Sequence, residues 1–371
     1  MGPSIIFDKS ALQSLGQQAI YEVSRYFYTV IPTVLLYEIL ADLSLVTDDL
    51  GASKKRVAEV SRKVLPIDSI TNVHYHTLCV GNLLGNEVEM ERRPLVGGAR
   101  TVVSSDGRQG VFVDVQPENQ AVLRWQREEI NESDLKFASQ WRDQAENARL
   151  EEAKQKLPKP DFKLDSLVEL SSFVDILLSH ADSPFTMLNW FMDLLGCPEG
   201  TREQVRQRWQ DESPTSIKEF APYAFHCLRI QTLFYLGMNH GLFGTRSSNV
   251  VDLEYLCYAP FANVFCSGDK LHQQMAPLVL EDDQSFVTRD EMQQALQVLV
   301  AARKESSNAE PGDDSLIRKL WVKHRGQFRP SSSSRPISEE RQKAILKEIK
   351  PLIEAMEEQS RRASPPRRFP S

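Results

Sequence analysis

A chain of 371 residues is longer than a typical single domain, so either two units or one domain with a large insertion is expected. Its hydrophobic content of 41% and charged content of 26% are typical of a soluble globular protein with a substantial core. The formal net charge of -7 excludes a general basic footprint for nucleic acid, so any such binding has to come from local patches.

The cysteines argue against both a disulfide framework and a zinc site. They are odd in number, scattered and without a CxxC pair: Cys79, Cys197, Cys227, Cys257 and Cys266. This pattern favours reduced, mostly buried thiols in a cytoplasmic protein. The sequence also has neither a secretory signal pattern at its start nor an apolar run long enough for a membrane span, so no membrane partner is expected.

The chain opens with a short apolar stretch that ends at a carboxylate. Ile5, Ile6 and Phe7 show no polar alternation, which predicts a strand buried on both faces in a parallel sheet. Asp8 follows at the carboxyl end of this strand, where ligands collect in open α/β sheets, and a helix is predicted up to Gly16. Asp8 is therefore either a cation ligand or the cap of that helix.

A second strand and helix follow, and the helix carries another acid. Residues 27–30 are typical of a short strand, and the apolar periodicity predicts a helix over 34–45. Glu38 and Asp42 stand four residues apart on one side of this helix. The spacing leaves open whether Glu38 is a solvated charge or faces the same crevice as Asp8.

The middle of the chain changes character repeatedly. A basic helix is predicted before Pro66, and the alternating apolar residues of 111–115 predict a small β-hairpin near 96–125. A charged helix over 132–157 and further helices follow. Residues 47–214 are therefore expected to be mainly helical.

A late stretch repeats the opening pattern. Residues 249–257 predict a short helix that opens with Asp252, and an apolar strand over 262–266 leads directly to Ser267 and Asp269. One acid at a strand end is weak support for a site, whereas a repeated pattern of this kind indicates that the acids meet at one crevice.

These motifs together resemble the PIN-like nuclease domains. In that family the first strand ends in Asp, an acid lies in the helix after the second strand, an Asp opens a late helix, and the last strand ends in Ser/Thr-x-Asp. The matching residues here are Asp8, Glu38, Asp252 and Asp269, with Ser10 and Ser267 as the small hydroxyl residues beside the first and last acids. The resemblance covers residues 4–46 and 217–282, and it departs from the family in the length of the segment between Glu38 and Asp252.

The resemblance implies an α/β fold: a PIN-like three-layer core with a central parallel sheet flanked by helices. The nuclease core is expected at residues 1–46 and 215–330, and the segment 47–214 is expected to be a mostly helical insertion that contains the hairpin. Residues 331–371 are expected to form a flexible linker, a charged helix and a basic disordered tail. That region offers little to bury, so residues beyond about 330 are expected to be dispensable for folding.

The acids suit phosphodiester hydrolysis with Mg²⁺ or Mn²⁺, because hard cations prefer carboxylate oxygens and activate a bound water. Asp8, Glu38, Asp252 and Asp269 are the predicted catalytic residues and metal ligands. Because crowded carboxylates repel one another, some of their pKa values should be raised without metal. Asp42 and Glu254 lie near the motifs and are interpreted as surface charges.

Contacts with the substrate need cations and hydroxyl groups. Those predicted to bind it are Ser10, Ser267, Lys270, Arg318, Lys319, Lys323 and Arg325. The last four belong to a stretch that interleaves cations with aromatic residues, as phosphate contact and base stacking require, although an amphipathic helix packed on the domain has the same composition.

The leading interpretation is a metal-dependent endoribonuclease of PIN-like type, located in the cytoplasm, that cleaves phosphodiester bonds with metal-activated water. One alternative is a catalytically silent PIN-like scaffold for protein or RNA interactions, and another is a DNA-directed nuclease in a defence system. The predicted partner is nucleic acid, RNA in preference to DNA. The sequence leaves open a protein partner at the insertion or the C-terminal helix, and a homo-oligomer.

Overall fold

The computed structural model describes residues 3–44, 49–64, 69–103, 107, 109–113, 117–146, 163–179 and 184–305, together with single positions between 340 and 358. Its strands, in chain order, are β1 (Ser4–Phe7), β2 (Tyr28–Ile31), β3 (Ser69–Thr71), β4 (Ala99–Val103), β5 (Gln109–Val113), β6 (Val264–Ser267) and β7 (Ser285–Thr288). Five of these strands form one parallel sheet, and β4 pairs with β5 in a separate antiparallel sheet.

The α-helices lie mostly between the strands. They are Lys9–Ser14, Gln17–Ser24, Thr33–Ala41, Leu50–Val64, Tyr75–Leu83, Pro117–Gln126, Glu132–Glu146, Leu167–Ser179, Pro184–Leu194, Glu199–Glu212, Ile217–Phe220, Pro222–Asn239, Asn249–Cys257, Lys270–Val279 and Arg289–Glu305. The fold class is therefore α/β, with helices flanking the five-stranded parallel sheet as predicted. Within the described residues, no helix is both long and apolar enough to cross a membrane.

The order of the strands in the parallel sheet is β3-β2-β1-β6-β7. The chain moves outward from β1 to β3, returns to the other side of β1 at β6, and continues outward to β7. The reversal lies between β1 and β6, and the crevice at such a reversal is where open α/β sheets bind ligands. Because Phe7 is in register with Cys266, Asp8 and Ser267 are neighbours at the carboxyl edge of this crevice.

The two strands at the reversal are buried along their full length, as expected of a central parallel pair. Ile5 and Ile6 are completely buried in β1, and Cys266 is completely buried in β6. Each strand ends where the apolar run gives way to polar residues. The carboxylates and hydroxyl groups that follow are therefore held at the edge of a well-packed core.

The chain divides into two compact units. The first comprises the described residues within 1–75, 89–148 and 250–329, and the second comprises those within 76–88, 149–249 and 330–371. The first unit contains both sheets. The division predicted from the sequence does not follow these units, because most of 47–148 belongs with the sheet and 215–249 does not.

Strand β3 explains part of this difference. It lies inside the range predicted as an insertion, yet it pairs with β2 at the edge of the parallel sheet. With only Ser69–Thr71 in the strand, the sequence carries almost no period-two signal. The helix Pro117–Gln126 was likewise included in the range predicted for the hairpin, whose two strands end at Val113.

The C-terminal positions bury more than the sequence suggested. The described positions between 340 and 358 are helical, and Ile345, Ile349 and Ile353 are almost completely buried. These residues are spaced four apart, so they form one apolar stripe on the helix. The expectation that the region beyond about 330 offers little to bury is wrong at these positions, whereas the predicted linker and tail lie outside the described residues.

All five cysteines are free and buried, as the sequence indicated.

Candidate active site

Asp8 is the centre of a hydrogen-bond network at the carboxyl end of β1, and only 4% of it is exposed. Its Oδ1 accepts the backbone N–H of Ala11 at 2.7 Å, so the residue caps the helix Lys9–Ser14. The Ser10 hydroxyl lies 2.9 Å and 3.1 Å from the two carboxylate oxygens, and the Ser267 hydroxyl donates to Oδ2 at 2.6 Å. Asp8 therefore has the predicted capping role, and this role does not prevent it from also acting in a site.

His272 completes this network from the helix Lys270–Val279. Its Nε2 lies 2.6 Å from the backbone carbonyl oxygen of Asp252, which can only accept. Its Nδ1 lies 2.7 Å from the Ser267 hydroxyl, whose proton is already donated to Asp8. In this arrangement both ring nitrogens act as donors, as they do in the imidazolium form of His272.

Asp8 and His272 form a buried ion pair through this arrangement, with Nδ1 and Oδ2 3.6 Å apart. Burial by itself would raise the pKa of Asp8, but His272, Ser267 and the Ala11 N–H outweigh it and hold that pKa below its usual value. Burial would likewise lower the pKa of His272, yet Asp8 and Asp252 raise it to about 8. Asp8 is therefore not among the carboxylates whose pKa is raised, because the chain supplies its own counter-charge.

Asp269 lies one turn before His272 and is tied to the same hydroxyl group. Its backbone N–H donates to the Ser267 hydroxyl at 2.9 Å, and its Oδ1 accepts the N–H of Leu271 at 2.6 Å. It therefore caps the helix after β6 as Asp8 caps the helix after β1. Lys270, the first residue of that helix, is exposed beside it.

Glu38 reaches the site from the helix Thr33–Ala41. The phenol of Tyr255 donates to its Oε2. Burial raises the pKa of Glu38 above its usual value, although Tyr255 and Lys9 act in the opposite direction. Lys9 holds the helix itself, because its Nζ donates to the backbone carbonyl of Glu38 at 2.8 Å and pairs with Asp42 at 2.6 Å.

Asp252 lies in the first turn of the helix Asn249–Cys257 and is half-buried. Burial raises its pKa to about 7, opposed by His272 and reinforced by the charges of Asp269, Glu38 and Asp8. The mutual repulsion shows that the four predicted acids share one electrostatic environment. They come from four separate segments of the chain, and Asp8 and Asp269 follow the two strands at the reversal of the sheet.

The two neighbouring acids were misread from the sequence as surface charges. Glu254 is half-buried, and burial with the nearby charge of Glu38 raises its pKa to about 8. Asp42 is 3% exposed and is paired with Lys9. Glu254 therefore belongs with the acids of the site, whereas Asp42 has a structural role in fixing Lys9.

The remaining predicted substrate contacts fall into two groups. Ser10 and Ser267 both bind Asp8, so they orient that carboxylate. Arg318, Lys319, Lys323 and Arg325 lie outside the described residues.

The donor set suits a hard divalent cation in chemistry, since it consists of carboxylates whose charges repel one another. Within the described part of the chain, no three His, Cys, Asp or Glu side chains are grouped closely enough to hold a metal ion directly. Mg²⁺ does not require such a group, because it usually keeps several waters and binds through one or two carboxylates. The residues present therefore fit a hydrated cation better than a closed protein cage.

His272 and Tyr255 were missed from the sequence. His272 follows Asp269 by three residues, and Tyr255 follows Asp252 by three, so each lies one helical turn beyond a predicted acid. That spacing was the available signal. It is weak, because a single His or Tyr on an apolar helix face is more often a core residue than part of a site.

Comparison of the chain with protein-family models, curated proteins and solved structures yields no significant match.

Proposed function

We propose that this chain is a divalent-metal-dependent endoribonuclease of PIN-like type. The observation that carries the proposal is the position of Asp8 and Asp269 at the ends of β1 and β6, where the sheet reverses, with Glu38 and Asp252 close enough for the acidic charges to act on one another and the pKa of Asp252 raised to about 7. Uncompensated carboxylates in a crevice are costly for stability. Their retention is explained if a bound cation offsets the repulsion during function.

The side chains of the site have different roles in the proposed reaction. Ser10, Ser267 and His272 fix the orientation of Asp8 and keep it ionised. Tyr255 positions Glu38 by donating to its carboxylate. When bound, Mg²⁺ or Mn²⁺ lowers the pKa of water and offsets the charge of the phosphodiester. Glu38 and Asp252, whose pKa values are raised by burial and by neighbouring acids, are the side chains best suited to hold it, and Asp269 contributes negative charge beside Asp252.

The scaffold alternative is favoured by one specific observation. The Asp8 carboxylate accepts hydrogen bonds at both oxygens and is 4% exposed, so the residue that the family motif places first is engaged internally. A site whose leading acid is neutralised by His272 can persist for stability alone. A DNA-directed nuclease is the other alternative, because carboxylates and a cation do not distinguish the 2′-hydroxyl.

A cleavage assay separates these functions. The purified chain is incubated with Mg²⁺ or Mn²⁺ and single-stranded RNA, structured RNA or single-stranded DNA, beside Asp252→Asn. Glu59→Gln serves as the control, since Glu59 is an exposed carboxylate on the helix Leu50–Val64.

Metal-dependent RNA cleavage that is lost in Asp252→Asn and kept in Glu59→Gln supports the proposal. Cleavage of DNA alone would select the DNA-directed nuclease. No cleavage of any substrate by the wild-type chain would favour the scaffold.

A further inference from the structure

A site made of carboxylates needs a cation of its own chain to hold the polyanionic substrate. Apart from His272, three cationic side chains among the described residues are candidates. Lys9 is engaged by Asp42 and by the Glu38 carbonyl. Lys270 is exposed at the start of the helix after β6. Arg289 is the third, and no sequence pattern singled it out.

The sheet places Arg289 beside Gly268, the residue between Ser267 and Asp269. Ser267 is in register with Thr288, so Arg289 follows β7 where Gly268 follows β6. A Cβ atom on Gly268 would lie 3.2 Å from the Cδ of Arg289 and 2.8 Å from the hydroxyl of Ser10. The arginine stem therefore crosses Gly268 next to the hydroxyl that binds Asp8, and a glycine is needed there for this close approach.

The guanidinium retains binding capacity in this position. Its Nε donates to Asp290 at 2.9 Å, and the Arg289 side chain is 41% exposed. Among the described residues, no partner is recorded for its two Nη groups, which carry four N–H donors. An exposed pair between adjacent residues contributes little to stability, so Asp290 does not account for the position of the arginine.

Helix energetics also do not account for Arg289. It is the first residue of the helix Arg289–Glu305, where the macrodipole disfavours a cation. A positive charge at that end is better explained by an anion that binds there.

We propose that Arg289 is the phosphate-binding residue of the acid site. Its guanidinium donates hydrogen bonds to the two non-bridging oxygens of a phosphate next to the cleaved bond, in the bidentate geometry that arginine favours. Because Gly268 has no side chain, it leaves space for the phosphate to contact both this guanidinium and the acids. This assignment rests on the nuclease function proposed above and names the residue that positions its substrate.

The test measures binding and cleavage separately. Binding of a labelled single-stranded RNA is followed by anisotropy over a range of KCl concentrations, with Mg²⁺ present, in the Asp252→Asn background so that cleavage is suppressed. Arg289→Gln and Arg289→Lys are compared with Arg25→Gln, an exposed arginine in the same unit. RNA cleavage by the same three substitutions is measured in the otherwise wild-type chain.

Arg289→Gln is expected to raise the dissociation constant by about tenfold, the lower range for a hydrogen bond to a charged group. It should also reduce the slope of log affinity against log salt by about 0.7, as one lost phosphate contact on a single strand predicts. Arg289→Lys should keep the salt slope and lose part of the affinity. In cleavage, KM should rise in Arg289→Gln while kcat changes less, and Arg25→Gln should match the parent chain.

Two outcomes overturn the assignment in distinguishable ways. Wild-type cleavage with unchanged binding, slope and KM in Arg289→Gln would refute the role of Arg289 and leave the nuclease proposal intact. An absence of both RNA binding and cleavage in the parent chains would refute the nuclease proposal, and the assignment with it.

Discussion

The acid cluster divides into a strand half, Asp8 and Asp269 at the ends of β1 and β6, and a helix half, Glu38, Asp252 and Glu254. The two halves differ in how their charge is compensated. In the strand half, Asp8 is ion-paired with His272 and hydrogen-bonded by two serines, and its pKa is lowered. In the helix half, burial and neighbouring acids raise the pKa of Asp252 to about 7 and of Glu254 to about 8. The first half stabilises the fold, whereas the second is strained at neutral pH.

The difference indicates where an added cation is most effective. A divalent ion near Asp8 would have to compete with His272, which already supplies positive charge at 3.6 Å. Near Glu38 and Asp252 the same ion would reduce the repulsion between carboxylates, which His272 offsets only in part. We therefore expect cation binding to depend on the helix half, and fold stability to depend on the strand half.

The largest expected effect comes from breaking the strand half. Asp8→Asn keeps a capping oxygen for Ala11 but leaves the buried imidazolium of His272 without its partner. Loss of one member of a buried ion pair should lower the free energy of unfolding by about 3 kcal/mol or more. Urea denaturation near pH 6.5 measures this change.

Asp269→Asn is the matched control, since Asp269 also caps the helix after its strand but has no ion-pair partner among the described contacts. Asn caps nearly as well as Asp, so this variant should unfold close to the wild-type midpoint. Equal destabilisation of the two variants would show that capping, and not the ion pair, accounts for Asp8.

The second prediction concerns pH. Asp252, Glu254 and His272 all have pKa values in the folded chain above their ordinary values, at about 7, 8 and 8. The folded state therefore binds more protons than the unfolded state, and stability must fall as pH rises toward 8. We expect stability to fall continuously between pH 6 and pH 8.5 in the absence of divalent metal, with a loss of about 2 kcal/mol between pH 7 and pH 8.

Thermal unfolding across that pH range, in buffers containing EDTA, measures this dependence. The stabilising contribution of Asp8 has the opposite sign and is lost only at acidic pH, as pH falls through its lowered pKa. A free energy of unfolding that rises from pH 6 to pH 8.5 would contradict the raised pKa values of Asp252, Glu254 and His272 in the folded chain.

The third prediction isolates the helix half. Asp252→Asn removes one repelling charge without adding volume, so it should stabilise the metal-free chain at both pH 5.5 and pH 8, and the gain should be larger at pH 8 by about 2 kcal/mol because Asp252 ionises in the folded chain between these values. Chemical denaturation at the two pH values tests this. Destabilisation at pH 8 would mean that the Asp252 carboxylate is paired in solution.

The smallest expected effect is that of Tyr255→Phe. The phenol donates to Glu38, and its removal should cost about 1 kcal/mol at neutral pH and raise the pKa of Glu38 further. The side chain is buried, and Phe keeps its ring contact with His272. A titration of Glu38 followed by carbon NMR would show no change if the hydrogen bond does not form.

The strand half could be predicted in outline because its signals are local. A run of apolar residues that ends at Asp8, and a second that ends at Ser267 and Asp269, specify buried strands and their polar ends without reference to the rest of the chain. The reversal of strand order between β1 and β6 depends on long-range pairing. Local patterns carry no information about that pairing.

The remainder of the site could not be predicted for related reasons. His272 and Glu254 become functional candidates only through burial beside other charges, and burial of one helix face is decided by tertiary packing. Arg289 belongs to none of the acidic motifs, and its approach to Gly268 depends on the pairing of β6 with β7. The strand β3 is too short for its period to be recognised, and the same shortness obscured β7.

The central claim is that a divalent cation binds the helix half of the cluster. Thermal unfolding of the wild-type chain against Mn²⁺ concentration at pH 7.5, beside Asp252→Asn and Glu59→Gln, tests it most directly. The account predicts a midpoint that rises with Mn²⁺ in the wild type and in Glu59→Gln, by the equivalent of about 2.7 kcal/mol at a hundredfold excess over the dissociation constant, and a much smaller rise in Asp252→Asn. A wild-type midpoint that does not respond to Mn²⁺, or a response that Asp252→Asn retains in full, would contradict it.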